Sequence, residues 1–266
     1  MFSHALLFHH GLGQIRRGVE KSPRLLKTLL KHEIKQTNVP NQSNLLQNLK
    51  SLYMYNESLH GKRLNIGGDH SMTIATGAHS LNTYKNTKFI WIDAHPDINT
   101  LESSDTGNFH GMPLSFLTGL SRSNLFNFLN NTLPFENLLY IGLRSLDSYE
   151  KMVIRKNNIE VICSHSCNHN LNEVLGEIKR FSADSPIHLS FDVDAVDPSY
   201  IPCTGTPVAR GIRKETASQL LSYINNETDL MNMDICELNF DLGTNDDKRR
   251  SLYSIVDILR PLNIIR

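Results

Sequence analysis

Two stretches of this chain run apolar almost to their last residues and then end in carboxylates: KFIWIDAHPD (Lys88–Asp97) and IHLSFDVDAVDP (Ile187–Pro198). A segment with no polar face predicts a central strand covered on both sides. Such strands belong to parallel sheets wrapped by helices, where ligands bind beyond the C-terminal ends of the strands. The acidic groups stand at those ends. In DAHPD, residues Asp93, His95 and Asp97 are spaced two apart, and continued extended backbone would send all three to one face. Two carboxylates crowded together repel unless a cation lies between them or one is protonated. The stretch asks for a metal.

Further apolar runs read as strands: HALLF, RLNIGG, LLYIGL and IEVIC. Helical spacing appears between several of them, as in SPRLLKTLLKHEI, NLNEVLGEIKRFS and KETASQLLSYIN. Strands alternating with helices predict an α/β fold. The polar stretch KQTNVPNQSNLLQNLK reads as a loop leading into a helix. At 266 residues the chain can bury a large core without disulfides, and one domain over residues 1–266 is expected.

Acidic and basic residues balance at 27 each, which gives no electrostatic reason to expect nucleic acid or a membrane as partner. No apolar run approaches the ~20 residues that span a bilayer. The N-terminal MFSHALLFHHGLG lacks a basic region and a small-residue cleavage site, so it reads as a first strand rather than a signal peptide. Four irregularly spaced cysteines do not form a disulfide framework, and a cytoplasmic location is expected.

Four short motifs follow strand-like runs: GGDHS (67–71), DAHPD (93–97), SFDVDAVDP (190–198) and MDICELN (233–239). Together they supply His70, Asp93, His95, Asp97, Asp192, Asp194 and Glu237. Carboxylates with two imidazoles suit a borderline-hard divalent ion, most naturally Mn²⁺. Four carboxylates exceed the need of one ion, so two ions bridged by Asp93 and Asp192 fit better. Such a pair lies about 3.5–4 Å apart and can hold a hydroxide between its members.

Two other features read as structural. Cys163, His165, Cys167 and His169 alternate in CSHSCNHN, but their spacing is wrong for a zinc knuckle, so the segment reads as a strand end and loop. His9 and His10 likewise read as structural, and Asp197, before Pro198, reads as a turn-former.

In GGDHS, DAHPDIN, GNFHGMPLSFL, SFDVDAVDPSYIPCTGTPVARGI and ELN, the chain resembles the ureohydrolases, and within them the arginases. RRGVEKSP and YIGLRSLD fit more weakly, and the likeness runs from about residue 7 to residue 262. It implies a three-layer α/β/α sandwich on a mostly parallel sheet. It implies a binuclear manganese hydrolase that cleaves L-arginine to L-ornithine and urea by attack of a metal-bridging hydroxide. His70, Asp93, Asp97 and Asp192 would hold one Mn²⁺, and Asp93, His95, Asp192 and Asp194 the other. Asp97 would carry a proton to the leaving amine, His110 would act as acid/base or proton shuttle, and Glu237 would face the guanidinium. Thr206 would line the same pocket. Asn99, Thr106, Asn108 and Asp147, with Glu150 nearby, would grip the α-carboxylate and α-amino groups. Agmatine lacks that carboxylate, which separates the arginase reading from an agmatinase or another guanidino hydrolase. An inactive metal-binding relative is the rival from another class.

The sequence departs from the family in three places. The stretch between GVEKSP and GGDHS is some twenty residues shorter than in typical arginases, which predicts loss of a helix or a peripheral strand. HHGLG replaces a small Gly-rich turn, and the long C-terminal tail of animal arginases is lacking. A homotrimer or homohexamer is implied by the likeness alone.

Overall fold

The computed structural model describes residues 2–121 and 124–266. Seventeen strands and longer helices alternate along it. In chain order they are β1 (His4–Leu7), α1 (Ser22–Leu29), β2 (Lys35–Asn38), α2 (Leu45–Glu57), β3 (Arg63–Ile66), α3 (Thr73–Thr83) and β4 (Lys88–Ile92). Then come α4 (Pro113–Leu117), β5 (Leu138–Ile141), α5 (Ser148–Lys156), β6 (Glu160–Ile162), α6 (Ser164–His169), α7 (Leu171–Ser182) and β7 (Pro186–Asp192). The last three are α8 (Lys214–Glu227), β8 (Asp229–Cys236) and α9 (Asn245–Leu259). The eight strands form one sheet in the order β2-β1-β3-β8-β7-β4-β5-β6, and every pairing is parallel.

The two-residue period of the strands sorts their side chains between two cores. Phe89 and Trp91 of β4, with Leu138 and Tyr140 of β5, face a layer that takes Leu49 and Leu52 of α2, Ile74 and Ala78 of α3, and Leu117 of α4. Ile90 and Ile92, with Leu139 and Ile141, face the opposite layer, which holds Val174 and Ile178 of α7, Leu220 and Ile224 of α8, and Ile255 and Ile258 of α9. Helices cover both faces, as the apolar character of the central strands predicts.

The polar segment KQTN is not a loop but the edge strand β2, which pairs in parallel with β1 from His4↔Lys35 to Leu7↔Asn38. An edge strand with little buried surface needs no apolar alternation, so its sequence carries no strand signal. The shortened stretch thus keeps both a strand and a helix, α2. Residues 164–169 are helical rather than loop. The first helix ends at Leu29, earlier than its pattern suggests, because Leu30 turns extended and bridges Ile265.

The strand order positions the site. The C-terminal ends of β3, β4, β7 and β8 and the loops that follow them carry GGDHS, DAHPD, FDVDA and ELN, and these four strands stand side by side. At ~4.8 Å per strand they span about 15 Å, within reach of converging side chains.

Candidate metal centre

Three carboxylate oxygens converge on one imidazole nitrogen. His70 Nδ1 lies 3.1 Å from Asp93 Oδ2, 3.0 Å from Asp97 Oδ2 and 3.2 Å from Asp192 Oδ2. The other ring nitrogen, Nε2, lies 2.7 Å from Ser190 Oγ, and the ring lies flat on Trp91 with centroids 4.1 Å apart. With the Nε2 proton donated to Ser190, a tautomer assigned from this contact, Nδ1 turns a lone pair toward three acceptors. It is buried and has no hydrogen-bond partner among the described residues. A lone pair facing three carboxylates is unfavourable until a cation enters the gap between them.

A second cluster adjoins the first. His95 Nδ1 lies 3.0 Å from Asp194 Oδ2 and 3.6 Å from Asp93 Oδ1. Asp93 therefore belongs to both groups; the ligand atoms of His70, Asp93 and Asp97, and those of Asp93, His95 and Asp194, lie within 4.8 Å of one another. An oxygen-rich set with two imidazoles matches the preference of a divalent ion such as Mn²⁺, so the residues fit the metal that the sequence implies. His70, Asp192 and Cys236 form a third such group. Burial, however, pushes the Cys236 thiol well above its usual range, which leaves it a poor ligand.

The charges show the same conflict. Burial and then the Asp93 charge push Asp97 up to about 6. Burial, Asp194 and Asp93 push Asp192 well above the usual carboxylate range. Burial also opposes ionisation of Asp93, but the His70 and His95 imidazoles beside it hold it well below that range. For His95, burial is outweighed by Asp194 and Asp93, which lift it to about 12.

Strand alternation does not gather the DAHPD ligands. β4 ends at Ile92, and Asp97 sits in the left-handed region at φ 48°. Pro96 has no N–H to continue a ladder, so the chain turns there. Asp97 folds back to His70, while His95 turns to Asp194.

A cavity of about 260 Å³ opens on this centre, lined by His95, Asp97, Asp192, Asp194 and Glu237, among others. His110, Asn99, Asp147, Glu150 and Thr206 also line it. Thr206 Oγ1 donates to Asp194 Oδ2 at 3.0 Å. Glu237 has φ 64°, and its Oε1 accepts from the backbone N–H of His70 at 2.8 Å and lies 3.3 Å from His110 Nδ1. Burial would lower the His110 pKa, but Glu237 raises it to about 9. At the mouth, Asp147 Oδ1 caps α5 by accepting from the Glu150 N–H, and Oδ2 accepts from Asn99 Nδ2 at 2.6 Å. Glu150 closes the same capping box, and burial lifts it to about 8.

Two expected contacts lie elsewhere. Asn108 lines an adjoining cavity together with Gln14, Ile15 and Arg16. Thr106 is not among the residues lining the metal-side cavity, and its hydroxyl accepts from the Asn108 N–H within its own loop. His10 packs as a buried ring stacked on Phe8, with burial lowering it to about 4. Asp197 accepts from the N–H groups of Ser199 and Gly211 and shapes its loop.

Several residues of the site carried no signal of their own in the sequence. Ser190, which meets His70, stands two before Asp192 on the same strand face, and that spacing could have revealed it. Arg144 donates to the backbone carbonyls of Asp194, Ala195 and Val208 and so fixes the segment carrying Asp194. Gln14 donates to Glu237 across most of the chain length.

The family described as "Arginase family" matches residues 12–259. An arginase of Neurospora crassa is 40% identical over 196 residues, covering 69% of this chain and 55% of its own length. An arginase of Saccharomyces cerevisiae is 36% identical over 194 residues, with 69% and 58% covered. The chain thus spans less than two thirds of these curated relatives. Among solved structures, an Entamoeba histolytica arginase in complex with L-ornithine superposes with a TM-score of 0.86 at 28% identity, covering 97% of this chain and 98% of that one. With its parallel sheet and the motifs grouped at the strand ends, this chain belongs to the arginase family.

Proposed function

We propose that this chain hydrolyses the guanidinium group of L-arginine to L-ornithine and urea. The observation that carries the reading is the unpartnered Nδ1 of His70 facing three carboxylates on the floor of a cavity whose wall is Glu237. Two Mn²⁺ held by His70, Asp93, Asp97 and Asp192, and by Asp93, His95, Asp192 and Asp194, would supply Lewis acidity and a water activated at neutral pH.

The chain's own groups do the rest. Glu237, a buried carboxylate held below its usual pKa by His110 against the cost of burial, offers acceptors to a planar cation. Asp194 is oriented by His95 and Thr206. Asp97 is within reach of both His70 and the cavity, where its oxygen can move a proton to the departing amine. His110 Nδ1 can deliver a second proton from the cavity wall. Asn99 and Asp147, paired on the cavity wall, would meet the α-carboxylate and α-amino groups of arginine, which agmatine lacks in part, and this supports arginine over agmatine. The relatives named arginase and the ornithine complex of the Entamoeba enzyme support the same substrate class.

The test is urea release from arginine and from agmatine, with Mn²⁺, with Co²⁺ and without added metal. Arginine should be preferred, metal required, and Asp93→Ala inactive. Preference for agmatine would move the chain to another guanidino hydrolase, and full metal occupancy without turnover of any guanidine would make it an inactive relative.

A further inference from the structure

Gln14, in the loop after β1, buries its side chain against Glu237. Its amide Nε2 lies 2.8 Å from Glu237 Oε2 and 3.1 Å from Oε1. The loop that presents it is clamped on three sides. The Gly13 N–H donates to Asp69 Oδ2 at 2.8 Å, the Gly13 carbonyl accepts from the His110 N–H at 3.1 Å, and Arg16 donates to the Gly205 carbonyl. A Cβ at Gly13 would collide with Asp69 and Ser71, so the close approach requires glycine.

The two oxygens of Glu237 are held unequally. Oε1 accepts from the His70 N–H and lies beside His110 Nδ1, whereas Oε2 is approached by the Gln14 amide. Contacts on one oxygen alone make a pivot, because the terminal torsion of a glutamate is broad and easily turned. A planar cation needs both oxygens in its own plane. A carboxylate oxygen has room for two donors, so Oε2 keeps an acceptor position on a residue that lines the cavity.

We infer that Gln14 is a positioning residue for the guanidinium: its amide stops rotation of the Glu237 carboxylate and aims the open acceptor of Oε2 at the cation. This role presupposes the guanidinium reading proposed above. It also sets the kind of ligand that depends on Gln14. A molecule bearing a guanidinium should feel its loss, and L-ornithine, which has none, should not.

The test uses the Mn²⁺-loaded protein and the variants Gln14→Met, which keeps the volume and removes the donor, and Gln14→Ala. The KM for arginine should rise about tenfold, the loss expected for one hydrogen bond to a charged group. The inhibition constant of L-ornithine and the dissociation constant of Mn²⁺ should each stay within about twofold, because the missing contact is uniform binding at the guanidinium end. The thermal shift given by arginine is measured beside turnover. A wild type that binds arginine but releases no urea sinks the hydrolase reading while leaving the Gln14 comparison legible, and one that neither binds nor turns over sinks both. An unchanged response to arginine in Gln14→Met, or an ornithine constant that moves in step with the KM, overturns the role of Gln14.

Discussion

His70 and Ser190, on neighbouring loop and strand, meet at 2.7 Å between Nε2 and Oγ. Behind them, Thr73 Oγ1 lies 3.3 Å from Ser190 Oγ and donates to Asp234 Oδ2 at 2.9 Å. The chain of hydroxyls leads from the imidazole to a fully buried carboxylate and fixes which nitrogen of His70 faces the metal gap. Partners of this kind are worth about 10–100-fold in metal affinity. Ser190→Ala should therefore weaken binding of one Mn²⁺ by about tenfold and leave the other nearly unchanged, as titration followed by electron paramagnetic resonance would resolve. Equal affinities in wild type and variant would refute the relay.

Metal should stabilise the fold as well as activate it. The cluster brings Asp93, Asp97, Asp192 and Asp194 into one buried volume, where burial and mutual repulsion raise three of the four. Divalent ions relieve that conflict only in the folded chain. Mn²⁺ at a hundred times its dissociation constant should add about 2.7 kcal/mol per site. Calorimetric unfolding with Mn²⁺ and with a chelator measures the difference, and a melting temperature insensitive to both would contradict it.

His110 should tie stability to pH from the alkaline side. Burial lowers its pKa, but the Glu237 carboxylate lifts it to about 9, above the ordinary value of 6.5. A pKa raised by folding means the charged form stabilises the native state. Its contribution is complete below about 6.5 and disappears as pH climbs through about 9. The stability gap between wild type and His110→Asn should thus be widest near pH 6 and close by pH 10, read from urea unfolding at each pH. A gap that is constant with pH would mean that His110 is neutral in the folded chain.

Asp147 has two jobs that substitution can separate. Its Oδ1 caps α5, and removing such a cap costs about 0.5–2 kcal/mol. Its Oδ2 faces Asn99 at the mouth of the cavity. Asp147→Ala should lower stability by about 1 kcal/mol and raise the KM for arginine. Asp147→Asn caps nearly as well, so it should restore the melting temperature but not the KM. Recovery of both by asparagine would leave the carboxylate with no part in substrate binding.

What the sequence disclosed depended on whether a residue's role lies in its own chemistry or in a distant contact. The grouping of Asp93, Asp192 and Asp194 was legible because carboxylates at the ends of apolar strands have few other reasons to be there. The central strands were legible because burial on both faces demands apolar side chains. β2 was not, since an edge strand satisfies its backbone through β1 while its side chains meet solvent. Gln14 was not, since a lone glutamine in a loop shows nothing until Glu237, 223 residues later, folds against it. The bend at Asp97 was hidden for another reason: two-residue spacing suggests a strand, and only the left-handed backbone after Pro96 shows that the residues converge by turning.

The strand order carries a consequence for synthesis. β3 and β4 follow each other in the chain, yet β8 and β7 stand between them in the sheet. As the chain leaves the ribosome, the first four strands must wait with a gap two strands wide until residues 186–236 arrive to fill it. Contacts this remote in sequence form late. The pocket is therefore born at the end of folding, and a nascent fragment ending before β7 would lack Asp192 and Asp194, two of the six side chains proposed to grip manganese.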